Sequence, residues 1–313
     1  MKRKNHIRTP VSDSEALARA YHVSKSSSKD PFFGFFRALG KNKSACFGAV
    51  ILLIFFLTAV FGPLLIDADD MRSDMANKLL GPSAEHILGT DHMGRDTLKM
   101  IIYGAREVLT VAAITAVMTL VIATVMGMLA AFTKGVVNWL LNILIDVIMT
   151  VPSLPVMMLL SMIVKANNYF TFAFVLSIWS WAGLAKAIRA QILSVMTRDY
   201  ISAARILGLP TRHIIFNELL PGITSYLTMN MIFTMRNSIS SAVSLMFLGM
   251  ADFSATHWGM MIQIAVSKTA AIYGSSALWY FLSPIAAIAI FGMGCFFFSH
   301  GLDEVLNPRL RTE

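Results

Sequence analysis

Six long apolar runs separated by polar stretches dominate the hydrophobic pattern of the chain. Each run is roughly twenty residues or longer, the length of an α-helix that crosses a bilayer, whereas a transmembrane β-strand would show alternating segments of about ten residues. The pattern therefore predicts an all-α, polytopic membrane protein with six transmembrane helices. The predicted spans cover residues 46–66, 108–132, 136–164, 170–190, 223–250 and 277–299.

The composition agrees with this class of protein. Of the 313 residues, 56% are hydrophobic and only 14% are charged, and the mean hydropathy is +0.65, which leaves too little charge to cover a soluble domain. The net charge of +8 does not indicate nucleic-acid binding, because the basic residues collect at the ends of apolar runs and are not interleaved with aromatic residues. Membrane lipid is the expected environment. Cys46 and Cys295 are expected to be small buried side chains rather than a disulfide.

The distribution of Lys and Arg predicts the orientation of the chain in the membrane. Most of the 26 basic residues fall on the N-terminal tail, a central loop and the C-terminus, and such residues are enriched in cytoplasmic loops. We therefore predict a multi-pass protein of the cell membrane with both termini in the cytoplasm. The predicted segments are a cytoplasmic tail with an interfacial elbow helix at 1–45, the first span at 46–66, an extracytoplasmic segment at 67–107, a five-helix core at 108–300 and a cytoplasmic C-terminal tail at 301–313.

The central loop, residues 191–221, is the most polar break in the second half of the chain. Ser202, Ala203 and Ala204 precede a glycine with the spacing of a short helix that another backbone can approach closely and that a glycine turn ends. This pattern predicts a docking surface, and the alternative is an ordinary basic connector. The candidate contact residues are Tyr200, Ser202, Ala203, Ala204, Gly208, Leu209, Arg212, Glu218 and Pro221.

A second candidate site, residues 86–96, precedes the second span. Its candidate residues are Gly89, Thr90, Asp91, Gly94, Arg95 and Asp96. The two glycines predict a tight turn that leads into a helix, with Asp96 or Thr97 as its cap. The alternative is a metal site built from His86, Asp91, His92 and Asp96. We expect no metal there, because the spacing matches neither HExxH nor a similar ligand motif.

Two charged residues fall inside predicted spans, Asp146 in the third and Arg236 in the fifth. A charge in hydrocarbon is costly unless it faces a cavity or a partner. Two explanations remain open. The two side chains pair with each other or with the backbone and fix the helix packing, or one of them lines a translocation pathway and meets a polar or zwitterionic substrate.

Five stretches, in this order along the chain, resemble permease subunits of the dipeptide/oligopeptide/nickel class of ATP-binding-cassette (ABC) importers. They are residues 86–96 with Tyr103-Gly-Ala-Arg106, Asp146 followed by Pro152, Ala203-Ala-x-x-x-Gly208 with Leu220-Pro221, Leu245-Met-Phe-Leu-Gly249, and His257-Trp-Gly259. The third resembles the family's cytoplasmic EAA loop, which contacts the ATPase, although Ser202 stands in place of its glutamate and Glu218 in place of the usual histidine. The resemblance runs from about residue 40 to the C-terminus and indicates the C-type subunit of a permease pair.

The resemblance implies the type I permease fold of ABC importers and peptide import by alternating access. The implied partners are a homologous second permease, two ATPase subunits and an extracytoplasmic solute-binding protein. The ATPases would bind ATP and Mg²⁺, since this chain has no G-x-x-x-x-G-K-[ST] loop, so we expect neither a cofactor nor enzymatic activity on it. The alternatives are nickel or oligosaccharide import by the same machinery, a stand-alone secondary transporter or channel, and an intramembrane enzyme, which is disfavoured because the spans hold no Ser/His, paired-Asp or HExxH arrangement.

Overall fold

The structure is a computed structural model that describes residues 39–40, 42–67, 71–164, 168–251, 253–269, 271 and 277–306. Within these ranges the chain is helical, with no strand apart from an isolated bridge between Thr90 and Asp96, which confirms the all-α prediction. The predicted N-terminal tail up to residue 38, with most of its elbow helix, and the C-terminal tail from residue 307 lie outside the described residues.

The helices follow one another along the chain, and the longest connection, residues 66–96, joins the first to the second. They are α1 (Lys43–Leu65), α2 (Thr97–Phe132), α3 (Gly135–Thr150), α4 (Ser153–Val164), α5 (Tyr169–Met196), α6 (Asp199–Ile206), α7 (Leu220–Phe247), α8 (Trp258–Thr269) and α9 (Leu278–Leu306). A 3₁₀ turn, Met75–Asn77, lies between α1 and α2, and a helical turn, Thr211–His213, continues through a π-helix, Ile214–Leu219, into α7.

Four of the helices, α1, α2, α5 and α9, are long and apolar enough to cross a membrane. The α3–α4 pair passes the same test as one broken unit, so the described part of the chain holds four or five such spans. α7, the fifth predicted span, has 28 residues and is long enough to cross, but Ser, Thr and Asn residues recur along it and it does not pass the test of apolarity. The chain is therefore a multi-pass helical membrane protein with one long helix of mixed polarity.

The predicted third span, 136–164, is not one continuous helix. α3 and α4 meet at an angle of 94°. The break falls at Val151 and Pro152, where Val151 has extended backbone angles. Proline lacks an N–H and its ring disfavours the helical conformation of the preceding residue, so α3 ends at Thr150, two residues before Pro152.

The second span also differs from its predicted bounds, because α2 begins at Thr97 rather than near residue 108. Its N-cap is Asp96, whose side chain accepts a hydrogen bond from the Lys99 N–H at 2.9 Å. The predicted span began directly after two charged residues, Arg106 and Glu107. They are helical because a cap and continuous packing outweigh two charges near a helix end.

α2 lies at the centre of the molecule and packs against α1, α5, α7 and α9. Small residues recur along its buried faces, and a Cβ at Gly127 would lie 2.8 Å from the Ala185 carbonyl oxygen of α5. In lipid, such small residues allow helix backbones to approach closely and pack well. The central position of α2 joins the polar segment before it to the helices that carry the rest of the candidate site.

Candidate functional site

The segment before α2 folds around the buried carboxylate of Asp91. Its Oδ1 accepts hydrogen bonds from the backbone N–H groups of Met93 and Arg95, both at 2.8 Å. Its Oδ2 accepts hydrogen bonds from Nε and Nη2 of the Arg95 side chain, at 2.8 and 2.6 Å. Asp91 is fully buried, so this carboxylate is satisfied by the turn that it organises. The structure thus places Asp91 and Arg95, two of the predicted site residues, in one ion pair.

Gly89, Thr90, Gly94 and Asp96 complete the same turn. Both glycines have positive φ, +73° and +80°, a conformation that glycine adopts without steric cost, and a Cβ at Gly94 would overlap the carbonyl oxygen of Asp74. Thr90 Oγ1 donates to the Asn77 carbonyl at 2.5 Å and accepts from the Leu80 N–H at 2.8 Å. The predicted turn and its Asp96 cap are therefore present, and residues 71–96 form one hydrogen-bonded unit.

The alternative of a metal site at these residues has no support in the geometry. The oxygens of Asp91 are occupied by backbone N–H groups and Arg95, while His86 Nδ1 contacts Asp96 Oδ2 at 2.9 Å. Across the part of the chain that the structure describes, no group of three or more His, Cys, Asp or Glu side chains is arranged to hold a metal ion.

The 71–96 segment and the His257-Trp-Gly259 stretch, far apart in sequence, meet at the start of α2. Trp258 is fully buried and its Nε1 donates to the Ile101 carbonyl at 3.1 Å. One turn further along α2, a Cβ at Gly104 would overlap the Thr256 carbonyl oxygen. These two contacts explain why a tryptophan and a glycine occur where two separate stretches resemble the importer permeases.

We expect Gly104→Ala to lower the free energy of unfolding by about 1–3 kcal/mol, because the added methyl forces two packed backbones apart. Gly183→Ala is the matched control, since Gly183 also lies within a helix but its Cβ would contact nothing closer than the Met149 Cε at 4.0 Å. The control should be neutral or stabilising by up to about 1 kcal/mol. Thermal unfolding in detergent measures the stability of both variants. Equal stabilities would contradict the close approach of Gly104 to the Thr256 carbonyl oxygen.

His257 precedes α8 and is buried. Its Nδ1 accepts a hydrogen bond from the Gly259 N–H at 3.2 Å, so the Nε2 atom carries the proton of the neutral ring. Burial lowers the pKa of His257 to about 3. The side chain is therefore a neutral cap in the folded protein and gains a proton only on unfolding.

This burial predicts a pH dependence of stability. The unfolded chain binds the His257 proton near its usual pKa of about 6.5, whereas the folded chain binds it only near about 3, so folding loses stability as the pH falls through this window. The loss attributable to His257 is about 1.4 kcal/mol at pH 5.5 relative to pH 8. His257→Asn keeps an acceptor for the Gly259 N–H and removes the titration. The free energy of unfolding, measured at the two pH values, should change less for the variant than for the unaltered protein. An equal change in both proteins would show that His257 does not cause the pH dependence.

The central loop is built around α6, which is anchored on one side and exposed on the other. Ile201 and Ala204 are buried in one cluster with Val195 at the end of α5 and Leu219 at the end of the π-helix that leads into α7. Gly208 has φ +72° and its N–H bonds to the Arg205 carbonyl at 3.0 Å. Together with the Leu209 N–H bond to the Ala204 carbonyl at 3.1 Å, this forms the glycine-terminated helix end that the sequence predicts.

The exposed side of the loop contains more apolar surface than the sequence pattern indicated. Ile206 and Leu207 are 86% and 77% exposed. The other predicted contact residues differ in how far they are exposed. Tyr200, Ser202, Ala203, Gly208, Arg212 and Pro221 are exposed, and Leu209 and Glu218 are half-buried. Sequence reasoning missed Ile206 and Leu207 because an Ile-Leu pair beside a helical stretch resembles core, and only the direction of α6 shows that both face outward.

A polar groove of about 280 Å³ separates α5 from α7. Its lining includes Ser180 and Gly183 of α5 and Asn230, Thr234, Asn237 and Ser241 of α7. The four α7 residues recur at helical spacing and therefore share one face. A second cavity of about 300 Å³, at the bend between α3 and α4, shares Gly183 with the groove. The polar residues of α7 thus face α5 across the groove, and the side chains that line the groove are uncharged.

The structure does not bring together Asp146 and Arg236. Asp146 Oδ1 pairs instead with Lys186 Nζ of α5 at 2.7 Å, and both side chains are 56% exposed. Arg236 lines a different cavity, of about 440 Å³, between α7 and α9. The hypothesis that the two residues pair with each other is therefore wrong. An exposed pair such as Asp146–Lys186 contributes about 0–1 kcal/mol to stability.

Comparison with known proteins adds the family to this geometry. The family model described as "Binding-protein-dependent transport system inner membrane component" matches residues 123–312, more than half of the chain. The chain belongs to that family. A second model, the N-terminal transmembrane domain of oligopeptide transport permease C, matches residues 31–82. The first match includes both the central loop and the polar groove, so these are features of a binding-protein-dependent transport component with the fold of an ABC type I permease.

Individual relatives in the family carry names that refer to peptides. The dipeptide transport system permease protein DppC of Bacillus subtilis is 31% identical, and the alignment covers 88% of this chain and 85% of the relative. The oligopeptide transport system permease protein OppC of the same organism is 28% identical over 86% and 87%. The di/tripeptide transport system permease protein DppC of Pseudomonas aeruginosa is 27% identical over 90% and 93%. The match to dipeptide/oligopeptide permeases confirms the class indicated by the sequence motifs.

Proposed function

We propose that the chain is the C-type permease subunit of an ATP-driven, binding-protein-dependent importer of peptides. It would pair with a homologous second permease, two cytoplasmic ATPase subunits that bind ATP and Mg²⁺, and an extracytoplasmic solute-binding protein. Peptides are the favoured substrate because the relatives described above are named for dipeptides, tripeptides or oligopeptides. Nickel and oligosaccharides are the alternatives for the same machinery.

The main support for this proposal is that α6 is anchored by buried residues on one side and exposes apolar residues on the other. The helix is held by buried Ile201 and Ala204 but presents Ile206 and Leu207 to the surroundings at 86% and 77% exposure. Two adjacent apolar side chains exposed this fully on a polar loop are typical of a protein–protein contact. The loop also carries the Ala203-Ala-x-x-x-Gly208 pattern that resembles the ATPase-contacting loop of ABC importers.

The packing of α6 also indicates how movement would be transmitted. Its buried residues belong to one cluster with Val195 at the end of α5 and Ile223 at the start of α7. α5 and α7 are the two walls of the polar groove. A displacement of α6 by the ATPases would therefore shift these walls against each other, which is how alternating access would open the groove to one side and then to the other.

The groove suits a peptide that is bound through hydrogen bonds to its backbone. The lining side chains of α7 include Asn230, Thr234, Asn237 and Ser241, which can donate and accept hydrogen bonds without a fixed charge. Such a surface would accept peptides of varied sequence, and the binding protein would select among them. The charged pair Asp146–Lys186, exposed on α3 and α5, is a candidate contact for the charged ends of the peptide or for the second permease. Arg236 remains a candidate pathway residue on the neighbouring face of α7.

The substrate is tested with the complete complex reconstituted in proteoliposomes. We expect ATP-dependent uptake of a labelled dipeptide when the binding protein is present, and competition by unlabelled di- and tripeptides but not by nickel ions or an oligosaccharide. Uptake without ATP would favour a secondary transporter. Competition by nickel or oligosaccharide alone would assign the same machinery to another substrate.

The orientation proposed from the basic residues places the central loop in the cytoplasm and residues 71–96 outside. Met75→Cys and Arg205→Cys, each in a background with Cys46 and Cys295 replaced by Ser, test it because both positions are exposed. A membrane-impermeant thiol reagent added to intact cells should label the cysteine at position 75 and leave that at 205 unlabelled until the cells are permeabilised. The reverse pattern would invert the topology.

A further inference from the structure

A large apolar cleft of about 750 Å³ opens between α1, α2, α7 and α9, on a different side of α7 from the polar groove. Leu52, Phe56, Val60 and Leu64 follow one another along its α1 wall at helical spacing. Met235 and Phe291 contribute to the opposite wall. The cleft is therefore an elongated apolar surface that runs along the helices.

Arg106 of α2 is the charged residue in the lining of the cleft. Its side chain is exposed, and it makes no hydrogen bond or ion pair with any other residue that the structure describes. A guanidinium near hydrocarbon is costly unless it reaches a counter-charge or the interface. Arg106 thus has no counter-charge among the residues that the structure describes.

Arg106 is the first residue of α2 in the lining of the cleft, on the side of the 71–96 segment. α1 ends at Leu65, and Leu64 lines the same cleft as Arg106. A Cβ at Gly62, near that end of α1, would lie 2.8 Å from the Ile102 carbonyl oxygen, one turn before Arg106. The α1 wall then continues from Leu64 to Leu52, about 18 Å at 1.5 Å per residue, toward the middle of the helices. Because consecutive spans run in opposite directions, Arg106 lies about one turn from Gly62 in the direction of Leu52, and the apolar wall extends beyond it toward Leu52 for about 9 Å.

We propose that this cleft binds one anionic phospholipid, with an acyl chain along the α1 wall and the phosphate on the guanidinium of Arg106. An arginine can hold a phosphate through two parallel hydrogen bonds. The cleft lining contains no Asp or Glu side chain among the described residues, so nothing there would attract the ammonium or choline group of a zwitterionic lipid. The site lies in the leaflet on the side of residues 71–96, away from the central loop.

The test uses the assembled complex in nanodiscs of phosphatidylcholine with a small fraction of phosphatidylglycerol, followed by extraction of the retained lipid and mass spectrometry. Arg106→Gln should retain about tenfold less phosphatidylglycerol per complex than the unaltered protein, because the charge-assisted bonds to phosphate are lost. Arg198→Gln is the matched control, since it removes an exposed arginine that does not line the cleft, and it should retain the lipid. Added glycerol phosphate, which lacks the acyl chain, should not displace it.

A second variant separates lipid loss from misfolding. Ala113→Trp fills the apolar part of the cleft and leaves Arg106 in place, and it should lose phosphatidylglycerol to a similar extent while its thermal unfolding shows a folded protein. Equal retention by Arg106→Gln and the unaltered protein would overturn the proposal. A photo-reactive side chain at Val60 should form an adduct with lipid, and an adduct with the second permease subunit would instead make the cleft a protein interface.

Discussion

Replacing Ile206 with Asp is expected to uncouple the permease from its ATPases without unfolding it. Ile206 is 86% exposed, so the substitution should change the stability of the free chain by no more than about 0.5 kcal/mol. At an interface the same change removes a buried apolar contact and leaves a carboxylate without water or partner, which costs 2 kcal/mol or more and weakens association at least about 30-fold. ATPase copurification and peptide uptake should both be lost.

The matched control for this prediction is Ile87→Asp. Ile87 is 62% exposed but lies in the 71–96 segment, at the opposite end of the molecule under the proposed topology. It should leave ATPase association unchanged. If Ile206→Asp retains its ATPases and transports peptide at the usual rate, α6 is not the coupling element. If both variants lose the ATPases, the effect is not specific to the loop.

The second large effect is expected at Asp91. Asp91→Ala removes the partner of Arg95, whose side chain is only 14% exposed, and leaves two turn N–H groups without their acceptor. Breaking a buried ion pair by removing one member costs about 3–5 kcal/mol, because the remaining charge stays buried without compensation. The 71–96 segment should therefore open locally and become sensitive to protease in the folded protein.

Asp74→Ala provides the comparison for Asp91→Ala, since Asp74 caps the 3₁₀ turn from an exposed position. Its loss should cost about 1 kcal/mol. Limited proteolysis of the two purified variants, followed by mapping of the cleavage sites, measures the difference. Cleavage within residues 71–96 at the same rate in both variants would show that the Asp91–Arg95 pair does not hold the segment together.

Local sequence signals predicted several features because their causes lie within a few residues. The Asp96 cap and the glycine turn at Gly208 follow from the conformational preferences of short stretches. Pro152 carried an equally local signal for the break in the third span, but the length of the apolar run concealed it. An apolar run predicts that a segment lies in the membrane and does not predict that it is straight.

Contacts between distant residues could not be predicted in the same way. The pairing of Asp146 with Lys186, 40 positions along the chain, depends on how α3 crosses α5, and no local pattern encodes that crossing. The exposure of Ile206 likewise depends on the direction in which buried Ile201 and Ala204 hold α6. The polar face of α7 is visible as a helical repeat of Asn, Thr and Ser, but only the packing shows that it faces α5 across a groove.

In the proposed mechanism, α6 transmits the action of the ATPases to the helices around the groove. A photo-reactive amino acid in place of Leu207, which is 77% exposed, tests the claim directly in intact cells. We expect an adduct with an ATPase subunit, identified by mass spectrometry, that changes in yield when a non-hydrolysable ATP analogue is added to inverted vesicles. An adduct with the extracytoplasmic binding protein, or no adduct in a complex that transports peptide, would contradict it.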